Sequence, residues 1–466
     1  MRRLIPLGIL AIAVAFIVTT GFQCSSAELT SARLYIQRKD YPKAVEQLEK
    51  EVAKNPKSEE GYFLLGEVQA ELKDYKKMKD AFDKALAIAP THQKEIKGHE
   101  LSVWGHLFNQ GVEAINNASD STGYGTAIDL FTTAIYVLPE STLTYRNLGL
   151  AYYRASMIDN AIASFTTAFD KAQDNLACRL LGRIYLDSAT VLKSRFTDTN
   201  RDAFTAIKNL ASIHEKMKAA DAKYILGEPS SVKNLEPEKK KKKSAAEVKE
   251  EWSYAQYNLT LTVEGDIVAA MKYSTPYAPK IDSTDYRLAI DLYNKAVDIL
   301  KKGIQLFPED AEISENLMNS YIGAERNEEA RQLLVARVKK YPDSKFDHYN
   351  LGVFFLKDSN YVDAIDQFKE AFRVDSTFDN ALYNLAAAYV NWGVAEQEKA
   401  KEEGKEDAGY KEKFKLALPY LEQVVKKKDS DVQMWELLGQ VYANLNQQDK
   451  AMEAYKKADE IREGKK

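Results

Sequence analysis

Residues 62–90 read YFLLGEVQAELKDYKKMKDAFDKALAIAP. Tyr62, Leu65 and Gly66, and then Phe82 and Ala85, fall at spacings of three and four. Each set therefore lies on one face of a helix. Pro90 closes the second helix, because proline cannot continue one. The stretch is a helical hairpin whose small residues allow two helices to approach closely. Its bulky residues fill the space between this hairpin and the next. A lone hairpin cannot bury such a face, so the pattern demands stacked neighbours.

The neighbours are present. The pattern returns at Tyr145, Leu148, Gly149, Tyr152, Ala161, Phe165 and Ala168. It recurs at Leu351, Gly352, Phe355, Ala364, Phe368 and Ala371, and again from Trp435 and Gly439 through Tyr455 and Ala458. Pro56, Pro139, Pro308 and Pro342 close second helices as Pro90 does. Copies beginning at 311, 345 and 379 are spaced by 34 residues. Period and residue types together resemble the tetratricopeptide repeat (TPR). The resemblance implies an all-α, right-handed superhelix of about ten hairpins, starting near 25, 59, 104, 142, 175, 253, 311, 345, 379 and 432. Weak copies keep a second-helix signature: Ala127-Ile128 with Phe131, Ala206-Ile207 with Leu210, and Ala289-Ile290 with Tyr293.

Departures from the period divide the chain. The segments 117–125, 193–202, 274–285 and 398–413 interrupt single hairpins, so the edge of the stack that carries these turns is expected to be ragged. Residues 220–250, with EPEKKKKKS at 236–244, fit no hairpin and read as a Lys/Glu-rich linker. The organisation expected is a signal or anchor at 1–27, an N-terminal array at 28–219 and a C-terminal array at 251–466. The repeats are clearest over 59–92 and 142–175 in the first array, and over 311–344, 345–378 and 432–465 in the second. The spectroscopic expectation is helix with negligible sheet.

Composition limits the function. With 45% hydrophobic and 29% charged residues, 12 prolines and 21 glycines, the chain is neither disordered nor sheet-rich. A net charge of −4 provides no global basic field for nucleic acid. Arg2 and Arg3 precede an apolar run from Leu4 to Val18, which makes an export signal or anchor and the expected route to the membrane. Three fates are compatible with it: lipidation at Cys24, cleavage near Ala27, or retention as a span.

No catalytic constellation, cofactor loop or metal cluster emerges. His99 and His106 are seven residues apart, about 10 Å along a helix, too far to share one metal ion. Cys178 has no partner cysteine and reads as a buried thiol. Glycine-rich phosphate loops and nucleophile elbows are absent. The sequence thus reads as non-catalytic, with no cofactor.

One polar pattern remains. Asn109, Asn147, Asn258, Asn316, Asn350 and Asn384 occupy the same place in the aligned hairpins, two residues before the Gly/Ala position. In the family this place faces the concave groove. The superhelix of O-linked N-acetylglucosamine transferase resembles it, with an asparagine ladder holding a peptide backbone. An amide both donates and accepts, so it pairs with a peptide group whatever the side chain. Tyr257, Tyr349 and Tyr383 precede three of these residues and are candidates to stack on bound side chains. Such a row also occurs simply because Tyr-Asn-Leu-Gly is close to the family's average first helix. Thr30, Leu64, Leu180 and Leu437 break the ladder at the remaining hairpins. The function expected is a protein-binding adaptor of the bacterial cell envelope, holding an extended peptide or helix in the groove. The rival is a permanent structural subunit of an envelope or secretion assembly that docks through its convex face.

Overall fold

The structure is a computed structural model that describes residues 26–118, 121–235, 249–404 and 409–462. Cys24 and the apolar run before it lie outside the described residues, as does the Lys239–Lys243 run. The chain divides into two compact units at Ile184/Tyr185 rather than at 220–250.

In the first unit four hairpins follow one another: α1 (Ala27–Gln37) with α2 (Tyr41–Lys54), α3 (Glu59–Glu71) with α4 (Tyr75–Ile88), α5 (Gln93–Asn117) with α6 (Ser121–Val137), and α7 (Thr142–Arg154) with α8 (Ile158–Ala172). Helix α9 (Asn175–Thr199) crosses the division. The second unit continues with α10 (Arg201–Ala211), α11 (Ala219–Leu226) and four strands, and then α12 (Thr284–Leu306). Its last four hairpins are α13 (Ala311–Gly323) with α14 (Asn327–Lys340), α15 (Lys345–Lys357) with α16 (Tyr361–Val374), α17 (Asp379–Glu402) with α18 (Tyr410–Lys427), and α19 (Val432–Asn444) with α20 (Gln448–Arg462).

Local chemistry sets these boundaries. Ser58, Asp310, Ser344 and Asp431 accept from backbone N–H groups of the first helical turns they precede. Six short hairpins turn through a single left-handed residue: Lys39, Lys73, Ser156, Glu325, Ser359 or Asn446. At the second of these, the N–H of Asp74 reaches back to the Gln69 carbonyl at 2.9 Å, and that of Lys73 to Ala70 at 2.9 Å. This paired bond satisfies carbonyls that the helix end would otherwise leave open. Packing then follows the repeat. The alanines of the second helices, among them Ala85, Ala168 and Ala371, are fully buried. The glycines do something more specific than bring two backbones together. A Cβ on Gly352 would lie 2.7 Å from the Phe368 ring, and one on Gly149 would lie 2.7 Å from Phe165. The aromatic side chain of the second helix sits directly on the bare backbone of its own first helix.

The expected interruptions of the period are mostly helix. α5, α9 and α17 run to 25, 25 and 24 residues, so three hairpins are long and the rest short. Beside the long α5/α6 pair, the α3–α4 turn borders a recess of about 530 Å³ that includes Leu72, Leu107 and Thr133.

The expectation for 175–285 needs correction. Helix α10, with Ala206 and Leu210, is not the second helix of the hairpin that α9 begins. That partner is α12. Thr190 and Tyr293 hydroxyls meet at 3.1 Å, and the Phe196 and Tyr286 rings lie 5.1 Å apart. The Asn200 amide donates to the Asp282 carbonyl at 2.9 Å and accepts from the Asp282 N–H at 2.9 Å. The contacts advance on α9 as they retreat on α12, as in an antiparallel hairpin. Residues 201–281 are therefore an insert in one hairpin.

The insert is an α/β unit, so no helical hairpin begins at 253. Strands β1 (Ser231–Asn234), β2 (Lys249–Tyr254), β3 (Leu259–Glu264) and β4 (Ile267–Tyr273) form an antiparallel sheet in the order β1-β2-β3-β4. Leu259, Leu261 and Val263 alternate inward on β3, and Gly265 supplies the positive φ of the β3–β4 turn. Backbone bonds from Lys216 and Ala219 to Val268 and Asp266 cover the β4 edge. Leu210, Met217, Leu226, Leu259 and Leu261 form the insert's core around Tyr254. Burial, assisted by Glu228, pushes the Tyr254 phenol up to about 12. The described parts of 220–250 are thus folded, and sheet accompanies the helices instead of being negligible.

Because the insert begins and ends where Asn200 and Asp282 bond to each other, replacing residues 201–281 with a three-residue turn should leave the hairpin intact. The melting temperature followed by circular dichroism should change by less than about 5 °C. Loss of cooperative melting would show that the array needs the insert to fold.

Candidate partner-binding groove

Three ladder residues, Asn316, Asn350 and Asn384, lie on the first helices α13, α15 and α17, one repeat apart. Asn350 and Asn384 sit at seams between successive first helices. Asn350 Nδ2 lies 3.9 Å from Met318 Sδ on α13, a weak acceptor. Asn384 donates to the Tyr349 hydroxyl on α15 at 3.0 Å and to the Asn380 carbonyl at 3.1 Å. Asn316 Nδ2 is buried and has no hydrogen-bond partner. The three amides are therefore not equivalent: one fastens two helices together, and two have donors with weak or absent acceptors.

The other ladder positions differ. In the first unit Asn109 is exposed on α5, while Asn147 on α7 donates to the Leu143 carbonyl of its own helix at 2.9 Å. Asn258 is on no helix. It occupies the left-handed turn before β3 with φ 55°, and its carbonyl accepts from the Ser274 N–H at 2.9 Å. Tyr257 packs with Tyr277 in the insert, their rings 5.5 Å apart. Asn258 and Tyr257 thus leave the ladder, because the insert separates them from every first helix. Tyr349 is half-buried between Phe368 at 5.9 Å and Phe378 at 5.1 Å. Tyr383 packs into the C-terminal core, and burial, with Asp431 nearby, raises its phenol above the ordinary range.

A recess of about 340 Å³ opens at Asn350, bordered by Ile322, Val353, Phe354, Lys357, Glu325 and Lys193. Lys193 comes from the far end of α9, within a segment expected to be only a hairpin turn. Its ammonium donates to the Gly323 carbonyl at 3.3 Å, approaches Glu325 at 3.4 Å and lies 5.8 Å from the Tyr293 ring centroid. Tyr286 completes the group by donating to Glu325 at 2.8 Å. No sequence pattern marks Lys193, because its place depends on α9 continuing through a polar stretch.

A buried ion pair holds α15 against the preceding hairpin. Arg337 Nε on α14 donates to Asp347 Oδ1 on α15 at 2.9 Å, and Asp347 is fully buried. Arg337 also lies over the Tyr341 ring, 5.4 Å from its centroid. Next to Asp347, the ring nitrogens of His348 engage Gln367 at 2.8 Å and the Pro342 carbonyl at 2.9 Å. Among the described residues, no three His, Cys, Asp or Glu side chains converge as a metal site would require. Among the same residues, no helix is long and apolar enough to cross a membrane.

These stacked hairpins define a class. A tetratricopeptide-repeat family profile matches residues 29–92 and 406–465, so these two segments are tetratricopeptide repeats. No curated protein sequence matches it. Among solved structures it is similar to MamA MSR-1, with 17% identity over 37% of this chain and 89% of that one, at a TM-score of 0.31. Another MamA structure is 21% identical over 40% and 98% of the two chains, at 0.30. YrrB, described as a TPR protein with an unusual peptide-binding site, is 18% identical over 39% and 86%, also at 0.30.

The buried pair gives a sharp expectation. Arg337→Met should destabilise the protein by about 3–5 kcal/mol, because it strands the Asp347 carboxylate without its cation. Arg337→Met combined with Asp347→Leu should recover most of that loss in denaturant titrations. If the double variant is as unstable as the single one, packing around Arg337, not charge, holds α15.

Proposed function

We propose that the protein is a non-catalytic adaptor that holds an extended polypeptide segment along α13, α15 and α17. The observation that carries this reading is the unpartnered, buried Asn316 amide in the same row as Asn350, whose amide meets only a thioether. A buried donor without an acceptor costs about 1–3 kcal/mol, which a peptide carbonyl would relieve on the Asn316 amide turning outward to meet it. Asn316→Ala with Asn350→Ala should weaken capture of the partner crosslinked in envelope fractions roughly tenfold, at about 0.5–1.5 kcal/mol per bond. The melting temperature should hardly move. Asn384→Ala, by contrast, should lower stability, since Asn384 ties α17 to Tyr349. Unchanged capture by the double variant would sink the groove reading. It would favour a structural subunit docking through its second helices, where Val335, Val362, Leu416 and Met452 are exposed.

The proposed place of action is the bacterial cell envelope, on the strength of Arg2, Arg3, the Leu4–Val18 run and Cys24. Cys24→Ser should release the protein from membranes if Cys24 carries lipid, and should change nothing if cleavage follows Ala27. Mass spectrometry of the mature N-terminus distinguishes these fates. An intact Met1 on a protein recovered wholly from the cytoplasm would refute export.

A further inference from the structure

We infer that the segment held in this groove is uncharged where it crosses α15 and α17, an inference that rests on the groove reading above. On α15 the inward row is Phe346, Tyr349, Asn350 and Val353; on α17 the corresponding row is Asn380, Tyr383, Asn384 and Ala387. No acid or base stands among them, in a chain that is 29% charged. The second helices carry the charge instead, as in NEEARQLLVARVKK on α14 and YVDAIDQFKEAFRV on α16. The cation nearest the aromatic platform is already committed. Lys345 lies over the Phe346 and Phe378 rings at 5.0 and 5.3 Å, and its ammonium pairs with Asp375 at 2.5 Å. On α19 Glu436 is likewise paired, with Arg462. Charge returns on α13, where Glu312 and Glu315 hold the places of Phe346 and Tyr349, and at the recess, where Lys193 and Lys357 stand with Glu325.

A charged side chain laid on these rows would lose water and gain no countercharge, which is unfavourable. A neutral segment meets amides that pair with its peptide groups. Phe346, 55% exposed and edge-on to Phe378 at 5.5 Å, offers an apolar or aromatic side chain a platform. The partner chemistry that fits is an extended run of amide, hydroxyl, aliphatic and aromatic side chains.

The test is selection of random 12-residue displayed peptides on the full-length protein, with the Asn350→Arg protein as counter-selection. The expected result is depletion of Asp, Glu, Lys and Arg in the central positions by at least about threefold against the unselected library. Affinity of the selected peptides should change less than about twofold between roughly 50 and 500 mM salt. Asn380→Arg, at an exposed site that tolerates substitution, should turn the selection toward acidic residues. Enrichment of acidic or basic peptides on the unaltered protein, or a tenfold fall in affinity with salt, overturns the inference while leaving a groove that binds. Failure to enrich any peptide over both arginine variants overturns the groove reading itself.

Discussion

The array depends on an aromatic ring lying on a helix that has no side chain beneath it. Phe165 covers Gly149 and Phe368 covers Gly352, while Tyr455 covers Gly439 in the last hairpin. The ring removes apolar surface from water within its own hairpin and sets the distance between the two helices. With that distance fixed, the buried alanines can seat each second helix. The row of first-helix side chains is then presented at a constant interval. An amide every 34 residues becomes a row because α13, α15 and α17 begin one repeat apart, with Met318, Gly352 and Ala386 at the place two residues after each amide. The row is in this sense a by-product of core packing, and its chemistry is free to vary.

Much of this is legible in the sequence. Gly149 with Phe165 and Gly352 with Phe368 appear as fixed spacings, since helical period and packing partner both lie within one repeat. The ladder at Asn316, Asn350 and Asn384 was legible for the same reason. What a repeat template could not show was which amide is free. Asn384 is occupied by Tyr349, thirty-five residues away, and this depends on how two first helices meet.

The insert was misread because a template imposes its own period. Ala206, Ile207 and Leu210 do have helical spacing and do form a helix, yet that helix packs on a sheet. A better signal was present: LTLTVE at 259–264 alternates, and the glycine that follows marks a hairpin turn. Counting by the repeat period puts Asn258 and Tyr257 in the ladder, but the chain there forms strands and a turn and no first helix. Lys193 was missed for the complementary reason, since a polar stretch that reads as a turn is the continuation of α9.

The meeting of Asn200 with Asp282 also bears on how the chain is assembled during synthesis. Most contacts in stacked hairpins are local, so each can form as its residues leave the ribosome. The α9–α12 hairpin cannot, because about 80 residues separate its helices and loop closure over that length carries an entropic cost. If the sheet and its two helices fold first, they draw the two ends together and the hairpin closes as though it were short. The insert would then serve α9 as a template for docking. The first unit would be complete while the second still waited for α12, leaving the exposed face of α9 as the surface most in need of protection from aggregation.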